Sequence, residues 1–240
     1  MKNALVIPVR LDSTRLPYKA LRTIKGISIV QRVVNQCVKT GLKTYVITDS
    51  QHIAETVSFN SKTHNNVYVI HDQRSADSGT HRIANMVKGL SEDNFINVQG
   101  DQPFISPEAI LEMSDFMTNN PDCDVVTPVS KHHPEKYNDP SKCKVVRSLS
   151  GRAVYFSRNP IPYNADDFWG HLGIYGYKRK VLENYHKLKV SPLEEVERLE
   201  QLRFIDNDIP IHTYETKHSI FSVDTLSDFK YATDHCGELI

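Results

Sequence analysis

Between residues 10 and 19 the chain reads Arg10-Leu-Asp-Ser-Thr-Arg-Leu-Pro-Tyr-Lys19, three cations interleaved with Ser13 and Thr14. Forked guanidinium donors and a compact ammonium suit the oxygens of a polyphosphate. The stretch directly follows an apolar run, Asn3 to Val9, that reads as a buried parallel strand. Open α/β sheets bind ligands beyond the carboxyl ends of such strands. The loop is neither Gly-x-x-x-x-Gly-Lys-Ser/Thr nor Gly-x-Gly-x-x-Gly, so ATPase and dinucleotide readings lose their usual support. Taken alone, the stretch has a competing and weaker reading as a solvated basic loop.

Two further patterns carry chemistry. Val98-Gln-Gly-Asp101-Gln-Pro ends a predicted strand, and Asp224 follows the run Ile220 to Val223 in the same way. A carboxylate at such a place can hold a divalent cation beside a phosphate chain, and the Gln99 amide can meet a base edge or a ribose. Sequence alone does not bring the two aspartates together. Asp77-Ser-Gly-Thr-His-Arg82 lies at a helix start, where free backbone N–H groups favour an anion, and Arg82 could reach a carboxylate.

These residues need a frame. Ile27, Val30, Val33, Val34 and Cys37 recur at helical spacing, with Gly41 as a C-cap. Lys43 to Thr48 and Val67 to Ile70 read as strands, with a helix opening at Asp49 and Ser50 between them. Ser78 to Leu90 reads as a helix and Asn94 to Val98 as a strand. Ser106 and Pro107 start a helix that runs to about Met117. This alternation predicts an α/β fold with a mainly parallel sheet. The second half is richer in strands: 124–129, 143–147, 153–156, 171–177, 211–216 and 220–223, with helices at 193–204 and 226–235. We expect one domain over 1–240 with a β-rich excursion at about 130–190.

The 240 residues hold 29 Lys plus Arg and 29 Asp plus Glu, so the formal charge is zero. That argues against a duplex-binding protein, and nothing forms an aromatic and basic platform for RNA. No 18-residue apolar stretch and no signal-peptide pattern is present, so membrane insertion is not expected. The cysteines at 37, 123, 143 and 236 lack metal or redox spacing, which makes the cytoplasm the simplest location.

The chain resembles the 3-deoxy-manno-octulosonate cytidylyltransferases, the CMP-sugar synthetases that activate the acidic sugar of lipopolysaccharide. The resemblance rests on Ile7 to Lys19, Asp77 to Arg82, Asn97 to Pro103, Tyr155 to Arg158, His171 to Tyr177, Ser191 to Glu194, Leu199 to Arg203 and Val223 to Thr225. It implies a Rossmann-like nucleotidyltransferase fold, with a mixed, mostly parallel central sheet flanked by helices. It also implies a Mg-dependent reaction of CTP with an acidic 2-keto-3-deoxy sugar, and a homodimer built from the excursion.

By resemblance, Arg10, Ser13, Arg15 and Lys19 hold the triphosphate, and Ser78 lies at the nucleotide. Pro8 and Gln99 help to read cytosine and ribose. Asp101 and Asp224 bind Mg2+. Arg82, Arg158, His171, Tyr175, Glu200 and Gln201 line the sugar-acid pocket. Which arginine holds the carboxylate stays open, and His171 on its apolar strand could as well be structural.

The chain departs from the family pattern at Tyr18, where glycine is usual, and at Ala20, where proline is usual. It also departs at His81, where an acid is usual, and at Gly170, where a basic residue precedes the histidine. The segment between Arg158 and His171 is short. These departures keep an 8-amino octulosonate or a sialic-acid-like acceptor in view, with Asp166 and Asp167 as partners for an amino group. A non-catalytic nucleotide-binding homologue is the reading from another class.

Overall fold

The computed structural model describes residues 1–132 and 137–239. Its central strand is the apolar run at the start of the chain, β1 (Asn3–Val9), buried from Ala4 onward. Its side chains alternate between two cores, as a strand's must. Ala4 and Val6 enter one cluster with Phe95, Tyr177 and Phe204, while Leu5, Ile7 and Val9 enter another with Val33, Ile96 and Met113. Both faces are therefore covered.

After the basic loop comes a short hairpin, β2 (Thr23–Ile24) and β3 (Ile27–Ser28). Then follow α1 (Ile29–Lys39), β4 (Lys43–Thr48), α2 (Gln51–Ser61), β5 (Val67–His71), α3 (Gly79–Met86), β6 (Asn94–Asn97) and α4 (Pro107–Asn119). Ser28, Ser50, Ser78 and Ser106 each cap a helix by accepting from a backbone N–H three residues on. The helix expected from Ser78 to Leu90 ends at Met86, and a 3-10 turn follows over Val87–Gly89.

The second half contributes β7 (Val125–His132), β8 (Lys144–Arg147), β9 (Ala153–Ser157), β10 (Phe168–His171) and β11 (Tyr175–Lys178). These are followed by α5 (Arg179–Glu183), α6 (Pro192–Glu197), α7 (Leu202–Asp206), β12 (Ile211–Glu215) and α8 (Leu226–Asp234). The central order is β5-β4-β1-β6-β11-β7, with β12 on β7. β4 and β6 run parallel to β1, β5 parallel to β4, and β12 parallel to β7. β11 alone runs against its neighbours β6 and β7. The centre is thus mixed and mostly parallel, with helices on both faces. β10, β8 and β9 extend it as antiparallel strands from the expected excursion.

Three expected elements differ. The strand 171–177 is interrupted: His171 faces Val129 and Gly176 faces Val126, so five steps on one strand span three on its partner. Gly173 takes φ +74 in the resulting bulge, a conformation that costs other residues about 1 kcal/mol or more. The helix 193–204 is broken at Arg198, which takes φ 54 at the end of α6. The break turns Leu202 and Phe204 into the core and leaves Val196 exposed. Ile220 to Val223 forms no ladder; instead the Val223 N–H donates to Asp101 O at 2.9 Å. Phe221 and Val223 pack with Leu16 and Ala232 in a third, smaller core.

Thr127 closes the bulge. Its hydroxyl donates to Ile174 O at 2.7 Å, and His171 Nε2 lies 3.0 Å from Thr127 Oγ1. Burial pushes the His171 pKa down to about 3. An unfolded imidazole titrates near 6.5, so between about pH 6.5 and 3 the unfolded chain takes up a proton that the native chain refuses. Stability should fall on acidification through that window, by at most about 1.4 kcal/mol per pH unit from this residue. His171→Asn should therefore lose its stability deficit against wild type as pH drops from 6 to 4. Urea titrations that show a constant gap would contradict this.

Candidate active site

A cleft of about 310 Å3 opens at the carboxyl ends of β1 and β6, a size suited to a small ligand. Its floor is Pro8 and Val9, and the basic loop forms one wall. Leu16 is 2 % exposed and roots that loop in the small core beside Val223 and α8. That anchor carries Arg15 and Lys19 to the aspartates.

Lys19 Nζ donates to Asp101 Oδ2 at 2.6 Å and to Asp224 Oδ1 at 3.0 Å, and Arg15 Nη2 donates to Asp224 Oδ1 at 2.8 Å. The two aspartates, 123 positions apart (224 less 101), therefore converge on one ammonium. Burial pulls the Lys19 pKa down, but Asp101 and Asp224 outweigh it and hold the value above the ordinary one. Two carboxylates that share one small cation fit the demands of magnesium, which takes one or two carboxylates and fills its remaining positions with phosphate oxygens and water. No larger cluster of metal-ligating side chains occurs among the described residues.

Arg10, Ser13, Ser78, Arg82, Gln99 and Glu200 also line the cleft. Glu200 sits in the break between α6 and α7, where it accepts from Ser78 Oγ at 2.5 Å and from Tyr185 OH at 3.1 Å. Burial, then Glu200, pushes the Tyr185 phenol well up, so it stays a donor. Arg82 is buried, with Nη2 on Asp49 Oδ2 at 2.7 Å and Nη1 on Asp72 O at 3.2 Å.

The remaining sugar-pocket residues lie outside this cleft. Arg158 Nε, Nη1 and Nη2 donate to the carbonyls of Glu197, Pro140 and Arg198, which clasps the end of α6. Tyr175 is buried, stacked on Tyr177 at 5.8 Å and tilted on His171 at 5.1 Å. Gln201 Nε2 meets Cys143 Sγ at 3.7 Å. The structure thus brings Arg82 and Glu200 to the cleft of the basic loop and gathers His171, Tyr175 and Gln201 around the bulge of the neighbouring strand.

Two partners of the cleft-lining residues were not foreseen. Asp49, the partner of Arg82, carries the same strand-end signal as Asp101, but the eye takes it for a helix cap; Ser50 is the actual cap. Tyr185 lies in a 3-10 turn, Tyr185–Lys187, with no local pattern to mark it. Two departures gain reasons. Tyr18 takes φ 56, the left-handed region where glycine is at ease. Gly170 lies under the His132 ring, which a Cβ there would strike. Asp166 and Asp167 are exposed and do not line the cleft, so they offer it no partner for an amino sugar.

The chain matches the cytidylyltransferase family over residues 4–217. It is 40 % identical over 247 aligned positions to a Rickettsia prowazekii protein named 3-deoxy-manno-octulosonate cytidylyltransferase, covering 100 % of this chain and 98 % of that one. A Rickettsia massiliae protein of the same name is 39 % identical over 234 positions, covering 95 % of this chain and 93 % of that one. Among solved structures, CMP:2-keto-3-deoxy-manno-octonic acid synthetase complexed with CTP superposes over 100 % of both chains, with a TM-score of 0.90 and 31 % identity. HddC from Yersinia pseudotuberculosis, at 16 % identity, shares the fold with a TM-score of 0.72 over 98 % of this chain and 100 % of that one. Full-length likeness and the cleft built on the basic loop agree: the chain belongs to the 3-deoxy-manno-octulosonate cytidylyltransferase family.

Proposed function

We propose that this enzyme transfers CMP from CTP to 3-deoxy-manno-octulosonate and releases pyrophosphate, a step of lipopolysaccharide biosynthesis. The observation that carries this reading is the convergence of Lys19, Arg15, Asp101 and Asp224 in one cleft. The anomeric hydroxyl of the sugar attacks the α-phosphorus, the bond to the β-phosphate oxygen breaks in line, and the hydroxyl proton passes to solvent. Such a transfer needs positioning and charge neutralisation rather than a covalent protein nucleophile.

Arg10, Ser13, Arg15 and Lys19 bind the triphosphate and offset charge on the departing pyrophosphate. Pro8 and Gln99 meet the nucleoside. Asp101 and Asp224 would hold magnesium, which lowers the pKa of a coordinated hydroxyl and neutralises phosphoryl charge. Arg82 is the arginine of the predicted pair that reaches the cleft, which favours it over Arg158 for the sugar carboxylate. Tyr175, His171 and Gln201 do not line the cleft, and their part in binding the sugar rests on the family resemblance alone. We read the whole chain as one catalytic domain, with 130–190 serving sugar binding and dimerisation. The cytoplasm, where CTP is made, is the compartment this reading requires. Cys37, Cys123, Cys143 and Cys236 are unpaired, in keeping with it. No described helix is long and apolar enough to cross a membrane.

Pyrophosphate release from CTP, 3-deoxy-manno-octulosonate and magnesium tests the assignment. Lys19→Ala should lower turnover by about 100-fold or more, the scale of one transition-state charge contact. Asp224→Asn should do the same and raise the magnesium requirement. Turnover unchanged in both variants would remove the assigned roles.

The homodimer has its own test. Leu149, Val154 and Tyr163 of the excursion are exposed apolar side chains. Light scattering at low micromolar protein should give twice the chain mass, and Val154→Asp should shift it toward the monomer. A concentration-independent monomer mass in the wild type would end the dimer reading.

A further inference from the structure

Asp49 is the first residue beyond β4, and its carboxylate has partners on two different parts of the cleft. β1 and β4 pair Val9 with Thr48, so Asp49 leaves the sheet beside Arg10. Its Oδ1 accepts from the Leu11 N–H at 3.3 Å, and its Oδ2 accepts from Arg82 Nη2 at 2.7 Å. Leu11 stands between Arg10 and Asp12, which line the cleft, and its side chain packs on the core that holds Leu5, Ile7 and Val9. Arg82 lines the same cleft from α3. Asp49 does not line it.

The backbone around Asp49 is fixed on both sides. The Asp72 N–H donates to Thr48 O at 2.8 Å, His71 Nε2 lies 3.2 Å from Asp49 O, and Ser50 caps α2. The Arg82 side chain is 6 % exposed, and Asp49 is its ion-pair partner. The Asp72 carboxylate turns to Arg74 instead, while the Asp72 carbonyl accepts from Arg82 Nη1 at 3.2 Å. A guanidinium has five N–H groups. Two are spent on these bonds, which fix its plane, and the others are left for a ligand.

We propose that Asp49 is a positioning residue for both substrates: its carboxylate fixes the start of the triphosphate loop through the Leu11 N–H and the fork of Arg82 that receives the sugar carboxylate. This rests on the reading of the cleft as a site for CTP and a sugar acid. The loop has a second root at Leu16, in the small core, and the cleft-lining residues Asp12 to Arg15 lie between the two roots. Removing the Asp49 carboxylate frees the first root and leaves a buried guanidinium without a contacting carboxylate, an arrangement that disfavours the placed charge. The two effects travel by different routes. The loop is reached through a backbone N–H, and the sugar acid is reached through Arg82, so each can be measured apart from the other.

The test is a double-mutant cycle read in two constants: the Kd for CTP by calorimetry without sugar, and the KM for 3-deoxy-manno-octulosonate at saturating CTP. Asp49→Ala should raise the Kd for CTP about fivefold, the size of one net hydrogen bond, and the sugar KM about tenfold, the size of a charged one, while kcat changes less. In an Arg82→Ala background, Asp49→Ala should weaken CTP by the same factor but add nothing to the sugar KM, because its partner there is gone. Asp49→Asn keeps the shape and loses the charge, so it should raise the sugar KM with little change in melting temperature. It carries the test if the alanine variants unfold. Unchanged constants in Asp49→Ala and Asp49→Asn, or an equal rise of the sugar KM with and without Arg82, would overturn the proposal. A wild type that binds no CTP would instead strike the reading of the cleft. Calorimetry with inorganic tripolyphosphate, in the wild type and Asp49→Ala, would then decide whether Asp49 fixes the loop.

Discussion

One ammonium ties this cleft together. Lys19 comes from the loop after β1, Asp101 from the end of β6 and Asp224 from the segment before α8, and all three meet within 3.0 Å contacts. Backbone geometry prepares the meeting. The Val223 N–H on Asp101 O sets the two carboxylates side by side, and Leu16 fastens the basic loop to the same small core. With the ion pairs formed, the carboxyl end of the sheet, the loop and the C-terminal helix act as one unit. Removing the lysine would leave two partly buried carboxylates facing each other, a costly arrangement.

The departures from the family pattern are each answered locally. Tyr18 accepts the left-handed backbone that a glycine would take freely, at a cost of about 1 kcal/mol, because the 3-10 turn Lys19–Leu21 must begin there to aim Lys19. Gly170 makes room for His132, whose ring tilts against Phe168 at 5.4 Å. At His81 a ring nitrogen accepts from the Asp77 N–H, while the Ser78 cap of α3 is kept by the backbone of the same residue. In all three the backbone path survives and the chemistry of the side chain changes.

Much of this was legible in the residues, for identifiable reasons. Buried parallel strands are continuous apolar runs, so β1 and β4 could be bounded to the residue. Ser50, Ser78 and Ser106 announced their helices because a cap is a local interaction, whereas the Ser28 cap went unread. The failures share a cause: they are settled by contacts far along the chain. The bulge at Gly173 depends on Thr127, and the break at Arg198 on the carbonyl clasp by Arg158. The absence of a ladder at Ile220 to Val223 depends on Asp101. The same division holds for the site. Arg10, Lys19 and Asp101 signal themselves by type and position at strand ends. Tyr185 and the pairing of Arg82 with Asp49 exist only in three dimensions.

The charges of the cleft also limit how the substrate can enter. A triphosphate brings several negative charges to a wall whose lysine is already committed to Asp101 and Asp224. Were Lys19 to turn to a phosphate, it would leave two carboxylates that lie within 3.0 Å of its ammonium. Carboxylates this close resist being ionised together without a cation between them. Protonation would answer that repulsion but would remove the pair as ligands. Asp101 and Asp224 could instead hold a divalent cation brought with the nucleotide, which would answer the repulsion while keeping both oxygens as donors and would add positive charge beside the phosphates. On the proposed reading the aspartate pair would serve two partners in turn: the lysine, which they hold in this structure, and a cation brought with CTP, which would free that lysine for the phosphates.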